Sequence, residues 1–145
     1  MDATHIRPSR VKPYICSEAY TSYMLLDHTN SQASNVHVNK GVLKKGTALL
    51  PSSKHGDPGQ EENNETYIIL KGSCRLEIGE DELFLEAGDI IFIPAGTYHG
   101  LDNRQGKEDV ELLTVWSKVP AAGINEAYDM RLEEWGKSYK TIDED

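Results

Sequence analysis

The stretch Gly88-Asp89-Ile90-Ile91-Phe92-Ile93-Pro94-Ala95-Gly96-Thr97-Tyr98-His99-Gly100-Leu101-Asp102-Asn103 decides how this chain is read. Its first half is an apolar run, Ile90 to Ile93, with the character of a buried strand. The run stops at Pro94, which cannot donate a ladder hydrogen bond. Gly96 lets the chain reverse, and the next strand opens by presenting the imidazole of His99.

The same grammar extends in both directions. Short apolar runs alternate with turn residues roughly every eight to twelve positions, which predicts an all-β sandwich or barrel. Strands are expected at 20–26, 35–43, 47–51, 65–70, 74–78, 83–85, 89–93, 98–102 and 110–116. Lys44-Lys45-Gly46 and Lys71-Gly72-Ser73 read as tight turns, and Gly79-Glu80-Asp81-Glu82 as a polar hairpin loop. In Cys74-Arg75-Leu76-Glu77-Ile78 apolar and charged residues alternate, so one face of that strand meets water. Parity puts Glu65, Tyr67 and Ile69 on one face.

Both ends differ from the middle. Residues 1–18 read as an irregular arm broken by Pro8 and Pro13, and the basic run Arg7 to Lys12 reads as solvated. Residues 19–120 form the barrel of this reading, and 121–145 a short C-terminal helix and polar tail. Asn125 caps that helix and Gly136 ends it, while Ile124, Tyr128, Leu132 and Trp135 repeat at helical spacing.

The 145 residues suit one domain with a genuine core. A net charge of −9 argues against nucleic acid and anionic membrane surfaces as partners. No run reaches the ~18 apolar residues of a membrane span, and the N-terminus lacks an apolar signal core, so a cytoplasmic location is expected. Cys16 and Cys74 lie far apart beside apolar residues and read as buried free thiols.

Residues 88–103 resemble the second motif of the cupins: Gly88, five residues, Pro94-x-Gly96, two residues, His99, three residues, Asn103. The first cupin motif runs G, five residues, H-x-H, three or four residues, E, six residues, G. Its back half is present as Glu65, six residues, Gly72. Its front half is disturbed. Counting forward from Gly46 puts Ser52 and Lys54 where the histidines should stand, whereas counting back from Glu65 puts Pro58 and Gln60 there. A polar insertion at 56–64 reconciles the two counts, and it is expected as a loop at the barrel mouth. His55 is the imidazole available on that side.

The resemblance covers residues 41–116 and implies a double-stranded β-helix, or jelly-roll barrel, with a metal inside. It makes His99 and Glu65 ligands, His55 the third, and Gln60 or Glu61 a fourth. Such donors suit Fe(II), Mn(II), Ni(II), Co(II) or Zn(II), with positions left open for water or substrate. Tyr67, on the face of Glu65, is either a hydrogen-bond donor and general acid near the metal or a packed aromatic. Trp116 either walls the pocket or covers the barrel end. His37 either supports the site or, as its parity against Val36 and Val38 favours, faces solvent; His5 and His28 take no role. The implied function is metal-dependent isomerase, lyase or dioxygenase chemistry on a small sugar, sugar acid or carboxylate, with Glu65 and Tyr67 moving protons. The alternative is a non-catalytic cupin that binds or senses such a molecule. A homodimer through the C-terminal helix, strand edges or both would cover exposed apolar surface.

Overall fold

The computed structural model describes residues 3–15, 17–28, 30–33, 35–49, 64–117 and 133. Among the described residues a 3-10 turn at Pro8–Arg10 precedes ten strands: β1 Tyr14–Ile15, β2 Tyr20–Leu26, β3 His37–Leu43, β4 Ala48–Leu49, β5 Glu65–Lys71, β6 Ser73–Ile78, β7 Asp81–Glu86, β8 Ile90–Ile93, β9 His99–Asp102 and β10 Val110–Trp116. They form a six-stranded sheet, in the order β1-β2-β3-β10-β5-β8, and a four-stranded sheet, in the order β4-β9-β6-β7. All the pairings are antiparallel, and the architecture is the expected all-β jelly roll.

Turn chemistry sets the joints. Gly72 and Gly96 both take positive φ, 79° and 77°, which side-chain-bearing residues rarely adopt. Gly72 also lies against the backbone of Asp109, where an added Cβ would stand 2.7 Å from the carbonyl oxygen. The β6–β7 hairpin is tighter than its sequence suggests. Ile78 pairs with Asp81, so the loop is only Gly79-Glu80, and Asp81 and Glu82 belong to the strand.

The core lies between the sheets. Leu43, Ile69, Leu112, Leu76, Leu101 and Ile93 are fully buried there, from strands of both sheets. Each such side chain removed from water stabilises the fold by roughly 1.5–3 kcal/mol. Cys74 joins this cluster as a free thiol, and burial pushes its pKa up to about 11. Cys16 lies outside the described residues.

The structure corrects several expectations. The N-terminal arm is not wholly irregular: Tyr14–Ile15 pairs with β2, and Val11 is buried against Leu25, which anchors an otherwise exposed basic run. The Ile90–Ile93 run is not buried throughout. Successive side chains point to opposite faces, and β8, last in its sheet, lacks a neighbour on one side to shield the outward ones, leaving Ile90 68% and Phe92 57% exposed while Ile93 sits in the core. The expected helix at 125–135 and the 56–63 part of the insertion lie outside the described residues. Among the described residues no helix is long and apolar enough to cross a membrane.

Candidate metal and acid-base site

Glu65 opens β5 and His99 opens β9, so the two side chains come from opposite sheets and meet in the barrel interior. Glu65 is 4% and His99 1% exposed. His99 Nε2 lies 3.2 Å from Glu65 Oε2 and 3.0 Å from the Tyr67 hydroxyl. The expected shared face of Glu65, Tyr67 and Ile69 is observed, since all three are buried.

Each member is held from behind. The carbonyl of Thr97 can only accept, so the 2.8 Å contact to it places a proton on His99 Nδ1. That bond leaves Nε2 as the working atom facing the interior. On the other side, the Trp116 indole N–H donates to Glu65 Oε1 at 2.9 Å. One carboxylate oxygen is thereby occupied while the other faces the imidazole.

The electrostatics follow from burial and proximity. Burial, the largest influence on His99, lowers its pKa, but the hydrogen bond and charge of Glu65 and the Thr97 carbonyl outweigh it and raise the net value. Tyr67 is pushed well above the ordinary phenol range, first by burial and then by the neighbouring Glu65 charge. It is therefore a neutral hydrogen-bond donor near pH 7. A neutral His99 accepts from Tyr67, whereas a protonated one donates to Glu65. The cluster can thus exchange a proton between an imidazole and a carboxylate without moving a backbone atom.

The fit to a metal can be judged from the donors. Two ligands of one ion at about 2.0–2.2 Å stand about 3 Å apart, and the 3.2 Å between Nε2 and Oε2 meets that requirement. Both donors are oriented by hydrogen bonds at their far atoms, as metal ligands commonly are. Among the described residues, however, no group of three or more His, Cys, Asp and Glu is placed to hold an ion. The remaining expected ligands, His55 with Gln60 or Glu61, lie outside the described residues.

His37 is the clearest correction. It is not solvent-facing but 3% exposed, inside the barrel beside Trp116. Parity counted from buried Leu43 through Gly41 and Asn39 reaches His37 on the inner face. That count was available in the sequence, and the flanking valines Val36 and Val38 obscured it. His5 and His28 are exposed.

Asn103, the last position of the motif, is not near the acid-base pair. Its Nδ2 donates to the carbonyls of Glu108 at 3.0 Å, Lys44 at 3.3 Å and Leu43 at 3.4 Å, tying the end of β3 to the loop before β10. Its role is structural. Replacing Asn103 with Ala should cost about 2–3 kcal/mol, because buried carbonyls lose their donor. Urea unfolding of the variant measures this directly. A loss below about 0.5 kcal/mol would show that water replaces the amide there.

Comparisons with known proteins agree with this fold. The Cupin domain family matches residues 45–116, the segment that holds both halves of the site. The chain belongs to the cupin superfamily. Among solved structures, this cupin is similar to KdgF from Halomonas sp., with 12% identity, a TM-score of 0.66, and coverage of 80% of this chain and 95% of the other. It is similar to a predicted oxalate decarboxylase from Thermotoga maritima at 22% identity and TM-score 0.64, covering 79% and 98%. It also resembles a sugar phosphate isomerase of Silicibacter pomeroyi at 20% identity and TM-score 0.63, covering 79% and 76%. At these identities the likeness establishes the fold. A comparison with curated proteins found no match.

Proposed function

We propose that this cupin is a metal-dependent enzyme that handles a small polar molecule, a sugar, sugar acid or small carboxylate, inside its barrel. The observation that carries this reading is the Glu65–His99–Tyr67 cluster: a carboxylate, an imidazole and a phenol, all buried, meeting across the two sheets at 3.2 and 3.0 Å. An ionisable pair is costly to bury and adds little stability by itself, so its position in the barrel interior suits chemistry better than scaffolding.

Glu65 and His99 would hold a divalent transition metal, with His55 and Gln60 or Glu61 completing the set. The metal supplies Lewis-acid polarisation of a ligand oxygen. Glu65 and Tyr67 supply proton acceptance and donation, which suits isomerisation or elimination next to a carbonyl. The similar structures include a predicted oxalate decarboxylase and a sugar phosphate isomerase, both consistent with small oxygen-rich substrates. Elemental analysis of protein purified without chelator, followed by a turnover screen of sugars, sugar phosphates and short organic acids, tests the reading. Retained metal with turnover supports it. Binding of one such ligand without turnover would favour a sensing or binding cupin instead.

The partner in this reading is a second copy of the chain, seated on the outward face of β8. The strand carries no charge, and exposed Leu70 of β5 extends its apolar surface. One edge of the other sheet, β7, also exposes Leu83 and Phe84, but its Asp81, Glu82 and Glu86 put like charges against self-pairing. Two copies of β8 can meet about a two-fold axis with no such penalty. Light scattering at about tens of micromolar should give a dimer, and Phe92→Lys a folded monomer whose melting temperature no longer rises with protein concentration. A monomeric wild type would overturn this assignment.

A further inference from the structure

We propose that Trp116 and His37 are positioning residues that aim the Glu65 carboxylate at His99. This rests on the reading of Glu65 and His99 as the working pair. The three side chains occupy one rung of the six-stranded sheet: Trp116 pairs with His37 on β3 and with Glu65 on β5. Cross-strand partners share a face, so His37, Trp116 and Glu65 stand side by side along the barrel interior.

The terminal torsion of a glutamate is broad, and nothing in its own chain decides where each oxygen points. Here the indole N–H takes Oε1 at 2.9 Å, which leaves Oε2 toward His99 Nε2 at 3.2 Å. The choice of donor is chemically apt. An indole N–H only donates, does not titrate near neutral pH and does not bind metal. An arginine or lysine in its place would add a charge and weaken the carboxylate as a base or ligand. Trp116 orients Glu65 without competing for the proton or the ion.

The indole needs support in turn, because it is only partly buried. His37 provides it. The two ring centroids lie 5.6 Å apart with the planes inclined at 54°, a tilted packing that restricts rotation of the larger ring. Burial depresses the pKa of His37 to about 4, so near neutral pH it packs as an uncharged ring. The line of support therefore runs from β3 through β10 to the carboxylate on β5.

The test uses the full-length protein and two readouts. The chain has two tryptophans, so two indole N–H signals appear in a nitrogen-15 correlation spectrum. Trp116→Phe or, if that variant fails to fold, Trp135→Phe assigns them. The Trp116 signal should shift downfield through its carboxylate bond and move upfield in Glu65→Gln. Co(II) titration then reads the consequence. Trp116→Phe should bind Co(II) roughly tenfold more weakly, His37→Ala should also weaken it, and His37→Phe, which keeps a ring against the indole, should stay within roughly twofold of wild type. Melting each variant in chelator separates these effects from unfolding. An indole signal indifferent to Glu65→Gln, or wild-type Co(II) affinity in folded Trp116→Phe, overturns the proposal. If the wild type binds no Co(II), the metal reading falls, and the indole signal alone then decides the positioning role.

Discussion

Purified His99→Ala is expected to fall below the wild type in metal content and in melting temperature together. The first loss follows from the geometry, since His99 Nε2 lies 3.2 Å from Glu65 Oε2, where one ion could bind both. The second loss has two sources. A metal bound only by the folded state adds stability that grows with its concentration over its dissociation constant, about 4 kcal/mol at a thousandfold excess. Removing the imidazole also takes one partner from the buried Glu65 carboxylate, and stripping one partner from a buried pair typically costs about 3–5 kcal/mol. Melting in chelator isolates the second source; adding metal back isolates the first.

A double replacement separates site from scaffold. His99→Leu with Glu65→Leu removes both ionisable groups and fills the space with apolar atoms. It should recover much of the stability lost by His99→Ala while binding no metal. Recovery would show that the pair is kept for chemistry. A double variant no more stable than the single would show that the two groups are not coupled. A wild type that is metal-free, with a melting temperature indifferent to Fe, Mn, Ni, Co and Zn, would remove the metal from the reading altogether.

Much of this barrel was legible because glycines and prolines mark its corners. Gly72 and Gly96 stand at positive φ where the turns were expected, and the expected bounds of β2 and β10 are the observed ones. Parity worked where one residue of a strand was already anchored, as Ile69 and Tyr67 were by Glu65. It failed where the wrong neighbour was taken as the anchor. His37 was counted from Val36 and Val38, whereas Leu43 is the core residue of that strand, and its face carries His37 inward. The exposure of Ile90 and Phe92 was not legible for a different reason. Four consecutive large apolar residues look the same in a central and an outermost strand, and only the strand order of the sheet places β8 last. The Trp116–Glu65 bond spans fifty-one positions and depends on the register of β10 against β5, which no local pattern states. The histidine positions of the first motif stayed unread because two counts from fixed glycine and glutamate anchors disagree.

Acidification should weaken the fold between pH 6.5 and pH 4, and His37 should account for much of the loss. Burial is the main reason its pKa falls from 6.5 to about 4; Asp27 and Glu65 pull it back upward and His28 lowers it slightly. The unfolded chain takes up a proton at about pH 6.5, whereas the folded chain refuses it until about pH 4. Between those values the unfolded state holds more protons, so stability rises with pH. The contribution is complete above pH 6.5 and disappears progressively as the pH falls to 4. At about 1.4 kcal/mol per pH unit, this gap amounts to about 3 kcal/mol. His99 works in the opposite sense. Its folded pKa is raised, so its contribution is present below 6.5 and lost as pH rises through the folded value. Asp102, whose pKa is lowered chiefly by its hydrogen bond from Arg104, loses its contribution only below its ordinary 3.8. Of these three groups, His37 is the one whose contribution changes across the window from 6.5 to 4. Urea midpoints at pH 7 and pH 4.5 should separate clearly for the wild type and draw together in His37→Gln, which keeps a polar side chain but cannot titrate. Equal losses in the two proteins would place the acid sensitivity elsewhere and show that His37 accepts its proton without leaving the barrel.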